Sequence, residues 1–171
     1  MSEVKVLINR KPVAYEGLFR TDELSAMIKR FGRERGYFIV ERLSEEHALA
    51  HGKDIIFQLE LIKTLSDYAK SVLALDIRIT GLTDRVVTID KEKRKYQQAR
   101  VDLFVSARLE TDYRGRWEGS GLQFLFRVIS DKFIRHGVIH ELETLARTDC
   151  VALQEELRAL LNLHRLKVEG K

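Results

Sequence analysis

Strict alternation of apolar residues along three stretches is the feature that most limits how this chain can fold. Residues 54–64, 70–80 and 99–113 place an apolar side chain at almost every second position. Because successive side chains of a β-strand point to opposite faces, this period puts one apolar row on one face of each strand. Long strands of this kind, joined by short turns, predict a curved antiparallel β-sheet with one buried face. The predicted inward rows are Ile55, Phe57, Leu59 and Leu61; Leu73, Leu75, Ile77 and Ile79; and Val101, Leu103, Val105, Ala107 and Leu109.

Shorter extended stretches lie beside these strands. Around Lys11 and Pro12, the amino-terminal stretch forms either two short strands or one broken strand, because proline is poorly tolerated in a central strand. A turn or short helical connection is expected from His47 to Gly52. The predicted short strands are residues 4–8, 13–19, 37–43 and 85–90.

A first helix is predicted between the early strands. Either Thr21 or Asp22 can act as its N-cap, and either Gly32 or Gly36 can end it. The apolar residues that recur at helical spacing between these limits are Leu24, Met27, Ile28 and Phe31.

The last third of the chain returns to the helical period. Residues 122–134 are apolar over more than half of the helix circumference, which indicates burial between two layers, contact with another subunit, or seating at a lipid surface. We expect Gly137 to end that helix. From Ile139 to His164, apolar positions recur at steps of three and four, with Asp149 or Cys150 among them. This spacing predicts a helix of roughly 25 residues.

A sheet with one apolar face, followed by a long amphipathic helix, predicts that the helix lies across the sheet. The predicted fold class is therefore α+β, with a curved antiparallel β-sheet packed on a long C-terminal helix. This order resembles the helix-grip architecture of START-like and polyketide-cyclase-like domains, in which a curved sheet wraps a terminal helix and ligands bind between them. Those domains usually have two early helices and one late helix, whereas this sequence predicts one early helix and two late ones.

Short motifs along the chain also resemble a family of archaeal proteins of unknown function and similar size. The matching stretches are YEGLF (15–19), LSDYAK (65–70), LETDY (109–113), RWE (116–118), FLFRVISDKFI (124–134) and LLNLHR (160–165). The resemblance covers nearly the whole chain and implies no particular activity.

Length and composition predict a single α+β domain over residues 1–171. The chain is 44% hydrophobic and 33% charged, a balance that favours a packed core over disorder. The single cysteine, Cys150, excludes an internal disulfide and favours a reducing compartment, so we expect a cytoplasmic protein. The sequence holds no signal-peptide core and no apolar run of about 18 residues, so we expect no transmembrane segment.

The net charge of +4 is spread along the chain and does not favour nucleic acid as a partner. The one basic concentration is residues 91–100, for which a solvated hairpin tip is favoured over a phosphate-binding patch. A nucleic-acid interface would require this segment to join Arg78, Arg100 and Arg108 in one patch.

Aromatic and charged residues concentrate just after the last predicted strand. Tyr113 and Trp117 lie there among alternating acidic and basic residues that include Arg116. In one interpretation, the aromatic rings wedge a helix against the sheet. In the other, Tyr113, Arg116 and Trp117 line the mouth of a ligand pocket whose inner wall includes Leu75 and Leu103. These five residues are the predicted ligand-pocket residues.

Two histidine pairs have a spacing that can bind metal. His47 with His51, and His136 with His140, are four residues apart, which on a helix points both imidazoles the same way. The first pair lies in a predicted turn, and Gly137 interrupts the second. We favour surface histidines and predict no metal site.

Nucleophiles next to acidic residues are present but lie in no known catalytic frame. The candidates are Ser66, Ser120 and Cys150, and none lies in a G-x-S-x-G turn. Cys150 falls on the apolar stripe, where a cysteine behaves as a small hydrophobic residue. The sequence therefore predicts no catalytic residues and no cofactor.

The sequence favours a non-catalytic binding protein. The predicted partner is an apolar small molecule held between sheet and C-terminal helix, or else a protein, including a second copy of the chain. One alternative is a nucleic-acid-associated protein that uses residues 91–100. Another is a cyclase-like or hydrolase-like enzyme, which the apolar inward faces of the strands argue against because catalysis needs polar groups in the cavity.

Overall fold

The computed structural model describes residues 3–66, 69–89, 91–111 and 135–169. Its elements form an α+β fold, in which a curved, open, five-stranded antiparallel sheet packs against a C-terminal helix. In chain order the elements are β1 (Glu3–Phe19), α1 (Thr21–Arg35), β2 (Phe38–Leu49), β3 (Gly52–Thr64), β4 (Ala69–Ile89), β5 (Glu92–Thr111) and α2 (Arg135–Glu169).

The sheet has the order β1-β5-β4-β3-β2, so that only β1 is out of sequence. Strands β2 to β5 form a meander, and β1 pairs with the last strand along Glu3 to Phe19. The face that carries the helices is called the inner face here, and the opposite face the outer face. The predicted alternation is confirmed in β5, where Val101, Leu103 and Val105 are completely buried on the inner face.

The amino-terminal strand is one continuous element, and the break considered at Lys11 and Pro12 is instead a pair of register shifts. The shifts lie between Val6 and Ile8 and between Ile8 and Lys11, and Arg10, within the second shift, has a φ of 44°. Proline fits here because β1 is an edge strand. From the inner side, Arg147 of α2 donates to the Leu7 carbonyl at 2.6 Å, and Gln154 donates to the Pro12 carbonyl at 3.0 Å.

Two strands are longer than the sequence predicts. Residues 85–90 were expected as a separate short strand, but β4 continues through this stretch to Ile89. Gly81, with a φ of 67°, lies within a register shift between Thr80 and Thr83 and bends the strand without ending its pairing with β5. Likewise β2 extends to Leu49, so the predicted turn from His47 to Gly52 is confined to residues 50 and 51.

Of the two glycines that could end helix α1, Gly36 does so, and Gly32 lies inside the helix. Gly36 has a φ of 74°, and the Tyr37 N–H donates to the Gly32 carbonyl at 2.7 Å, which satisfies one of the helix's last carbonyls. The start differs from the prediction, because Arg20 is the N-cap residue and its side chain makes no capping hydrogen bond. Asp22 lies inside the first turn, where its charge complements the helix dipole.

Helix α2 is 35 residues long and includes Gly137, which therefore does not break a helix there. A glycine inside a helix costs only about 1 kcal/mol relative to alanine, less than the packing of a long buried stripe contributes. That stripe lies against β1, β5 and part of β4 on the inner face. Its fully buried members are Ala146, Cys150, Leu153, Leu157, Leu161 and His164.

Candidate functional site

The two helices do not cover the inner face of the sheet completely. Helix α2 contacts β1, β5 and β4, whereas α1 lies against β2 and touches α2. Between α1 and the strands β2 to β4 lies a groove of about 530 Å³. It is lined by Thr21, Leu24, Ser25, Ile28, Lys29, Ile39, Glu41, Ile55, Phe57, Leu59, Ile77, Ile79 and Leu82.

The floor and walls of this groove are apolar because the alternating strand pattern continues beyond the area that α2 covers. Ile55, Phe57 and Leu59 are three members of the inward row of β3, and all are only half-buried. Leu24 and Ile28 of α1 form the opposite wall. The volume falls within the range of about 300 to 1,000 Å³ that is typical of small-molecule sites.

Polar groups of the groove lie on α1 and β2. They are the hydroxyls of Thr21 and Ser25, the Lys29 ammonium and the Glu41 carboxylate. Lys29 and Glu41 are exposed, and neither forms an ion pair with another residue in the described part of the chain. The rim can therefore bind a polar or charged end group, while the interior offers only apolar contact.

Of the five predicted ligand-pocket residues, the structure describes two, and these two do not line the groove. Leu75 and Leu103 are both completely buried in the core, and neither lines the groove. The other three predicted pocket residues, Tyr113, Arg116 and Trp117, lie outside the described residues. Where the sequence placed the pocket against the C-terminal helix, the described groove has α1 as its helical wall.

A buried polar cluster holds α1 and α2 together at the end of the groove's helical wall. Asp149 of α2 accepts hydrogen bonds from Tyr37 Oη at 2.9 Å and from Arg35 Nη1 at 2.6 Å. The Tyr37 hydroxyl also lies 3.3 Å from Ser71 Oγ on β4. Burial is the main cause that raises the Tyr37 pKa above its usual value, and the Asp149 charge adds to it, so this hydroxyl stays protonated.

Sequence reasoning missed this cluster, because Asp149 was considered only as one position of an apolar stripe and as the acid next to Cys150. The available signal was the acid itself, since an aspartate on a buried helix face requires a partner. Its partner residues Arg35 and Tyr37 are distant in sequence, so spacing along the chain could not identify them.

The candidate nucleophiles have structural surroundings. Cys150 is completely buried, and burial raises its thiol pKa to about 11, which suppresses the reactive thiolate. Ser66 Oγ accepts a hydrogen bond from the Ala69 N–H at 3.0 Å, within the turn that leads into β4. Ser120 lies outside the described residues.

The histidine pairs differ from their predicted setting. His47 is an exposed residue of β2 and lies 3.7 Å from Glu45, whereas His51 belongs to the following turn. Gly137 lies inside α2, so the helix runs from His136 to His140 without a break. Over the part of the chain that the structure covers, no three His, Cys, Asp or Glu side chains form a metal-binding group.

His164 is a buried histidine that the sequence analysis treated only as part of the apolar stripe. Its Nε2 lies 3.2 Å from Glu23 Oε2, which links α2 to the first turn of α1. The imidazole also makes an edge-to-face contact with Tyr96, with 6.0 Å between ring centroids. The contact between His164 and Glu23 holds the amino-terminal end of α1 against α2, as the Asp149 cluster does near the carboxyl-terminal end of α1.

The three arginines that a nucleic-acid interface would require are divided between two places on the outer face. Arg78 and Arg100 line one cleft. Arg108 lies in a separate ion-pair network, where it donates to Glu60 at 2.6 Å and to Glu110 at 2.9 Å. Residues 92–100 are part of β5, so only Lys91 of the basic segment belongs to the hairpin turn among the described residues.

The Arg108 network runs across four strands. Glu60 also accepts two hydrogen bonds from Arg42, and Glu110 is paired with Lys70 at 2.8 Å. Burial alone would raise the Glu60 pKa, but the hydrogen bonds and charges of Arg108 and Arg42 lower it overall. Each of the three cations in the network is therefore paired with a carboxylate, which makes it a poorer site for a nucleic-acid phosphate than a cluster of unpaired arginines.

Within the described residues, no helix is both long enough and apolar enough to cross a membrane. Comparison with protein-family models finds no match to this chain, and a search of curated proteins finds no similar sequence.

Proposed function

We propose that the protein binds an apolar small molecule in the groove between α1 and the inner face of β2, β3 and β4. The observation that carries this proposal is an apolar groove of about 530 Å³ whose floor is built from half-buried strand residues. The helix-grip resemblance of the sequence agrees with it, because ligands of such domains bind between sheet and helix. The helix involved is α1 and not the C-terminal helix.

The groove lining favours a ligand with an apolar body and one polar end. Ile55, Phe57 and Leu59 offer only hydrocarbon and aromatic surface, so a ligand gains about 25 cal/mol for each Å² of apolar surface that it buries there. Ser25 and Lys29 lie on the helical wall and can bind a hydroxyl or carboxylate end group.

The absence of a matched catalytic pair in this lining supports binding over catalysis. Its titratable groups among the described residues are Lys29 and Glu41, both exposed. An enzyme would require a polar group at the reacting atom, inside the apolar part of the groove. We therefore infer that the groove is a carrier or sensor site.

A neutral fluorescent probe tests the proposal. N-phenyl-1-naphthylamine should bind the purified protein with one saturable site and a rise in fluorescence. Ser25 and Ala26 are adjacent, exposed residues of α1, but only Ser25 lines the groove. The variant Ser25→Trp should fill the groove and weaken probe binding at least tenfold, whereas Ala26→Trp should bind as the unmodified protein does.

Equal binding by both tryptophan variants, or no saturable binding by the unmodified protein, would overturn the proposal. Circular dichroism checks that both variants are folded. Native mass spectrometry of the purified protein gives an independent readout, because a copurified small molecule should be present in the unmodified chain and in Ala26→Trp but reduced in Ser25→Trp.

A further inference from the structure

A second depression lies on the outer face of the sheet, on the opposite side from the groove. It has a volume of about 430 Å³ and crosses strands β1, β3, β4 and β5. Three arginines, two aspartates and one glutamine supply its polar groups. These are Arg10, Arg78, Arg100, Asp76, Asp102 and Gln58.

The ion pairs in this cleft leave one arginine without an acid. Asp76 accepts a hydrogen bond from Arg10 at 3.2 Å. Asp102 accepts from Arg100 Nε at 3.0 Å, although in the sheet register Asp102 lies opposite Arg78. Arg78 is exposed and forms no ion pair with any residue that the structure describes. The charged side chains of the cleft therefore sum to one net positive charge, which Arg78 carries.

Arg10 is held in place by an unusual backbone conformation. Its φ of 44° is in the left-handed region, which is rare for residues other than glycine and costs on the order of 1 kcal/mol. The Arg10 N–H donates to Ser106 Oγ at 3.1 Å, and its guanidinium lies 4.1 Å from the centroid of the Phe104 ring. Backbone strain that directs a side chain is a feature of functional sites.

We infer that this cleft binds a small organic anion that has a carboxylate or phosphate group and a flat apolar body. The planar guanidinium of Arg78 can donate two parallel hydrogen bonds to such a group. Ile56 and Phe104 line the same cleft and provide apolar surface for the body of the ligand. Asp76 and Asp102 disfavour a ligand with several anionic groups, because a second phosphate or carboxylate would approach their carboxylates.

The inference does not depend on the function proposed for the groove, and a separate titration tests it. Phenyl phosphate, inorganic phosphate and neutral benzyl alcohol are each titrated into the full chain at low salt, with binding followed by calorimetry. We expect phenyl phosphate to bind at one site per chain, at least tenfold more tightly than inorganic phosphate, and benzyl alcohol not to bind this site. Benzoate should bind like phenyl phosphate if the carboxylate is the natural group, and more weakly if it is phosphate.

Arg78→Gln should weaken phenyl phosphate binding at least tenfold. Arg33→Gln is the matched control, because Arg33 is an exposed arginine of α1 outside the cleft and its removal changes the net charge equally. Equal binding by the two variants overturns the site assignment. Equal affinity for inorganic and phenyl phosphate overturns the inference that the ligand has an apolar body. If a short single-stranded oligonucleotide binds tightly and phenyl phosphate does not bind, the small-anion inference is overturned and the ligand is a nucleic acid.

Discussion

The buried contact between α1 and α2 gives the sharpest prediction of stability. The variant Asp149→Ala removes the acceptor of two hydrogen bonds, from Tyr37 and from Arg35. A hydrogen bond to a charged group contributes about 1.5 to 3 kcal/mol. The Arg35 side chain is 36% exposed, so water partly replaces the lost hydrogen bond. We therefore expect the loss of this bond to lower the free energy of unfolding by about 1.5 kcal/mol. The Tyr37 hydroxyl is buried, so the loss of its hydrogen bond lowers the free energy of unfolding by about 2 kcal/mol.

We therefore expect Asp149→Ala to lower the free energy of unfolding by about 3.5 kcal/mol, within the range of about 3 to 5 kcal/mol for breaking a buried ion pair. With a urea dependence of about 2 kcal/mol per M, the midpoint of urea unfolding falls by about 1.7 M. Tyr37→Phe removes only one of the two bonds and should cost about 2 kcal/mol. Circular dichroism during urea titration measures each midpoint.

Glu156→Ala is the matched control for this prediction. Glu156 is also an acid of α2 that faces an arginine of α1, since Arg30 Nη2 lies 3.5 Å from its carboxylate. That pair is exposed, and exposed ion pairs contribute less than about 1 kcal/mol. If Asp149→Ala and Glu156→Ala lowered the midpoint equally, burial would not determine the strength of the contact and the reasoning would be refuted.

Two further predictions concern acid stability and thiol reactivity. Because the Glu60 pKa in the folded state lies below its ordinary value of 4.5, its contribution is complete above about pH 5 and is lost as the pH falls through the folded-state pKa. Glu60→Gln should therefore show a smaller fall in melting temperature between pH 7 and pH 3 than the unmodified chain, and equal falls would contradict this assignment. Cys150, with a thiol pKa of about 11 and no exposed surface, should react with a disulfide reagent at pH 8 at least a hundredfold more slowly in the native protein than in urea. Rapid reaction of the native protein would show that α2 leaves the sheet readily.

The strand pattern allowed the fold class to be predicted, because alternation and burial depend on the same two-residue period. In β5, Val101, Leu103 and Val105 are buried on one face as predicted. Sequence reasoning was wrong about the separate strand over residues 85–90 and about Gly137 as a helix end. A register shift absorbs Gly81 within β4, and the helical neighbours of Gly137 outweigh its low propensity.

The position of the groove could not be predicted from periodicity. The inward rows of β3 and β4 were identified correctly, but periodicity does not show which part of a row a helix covers. That depends on where α2 crosses the sheet, which long-range contacts such as Asp149 with Tyr37 and Arg147 with the Leu7 carbonyl determine. These contacts join residues more than 100 positions apart, beyond the reach of any local pattern.

The two outer strands of the sheet differ in how freely another chain could add to them. On β1, the register shifts around Arg10 and the bonds from Arg147 and Gln154 to backbone carbonyls obstruct a regular new ladder of hydrogen bonds. On β2, most residues are exposed. If two copies paired through β2, each copy would have used its accessible edge strand. Because β1 at the other edge is obstructed, the assembly would stop at a dimer and would not extend into a fibre.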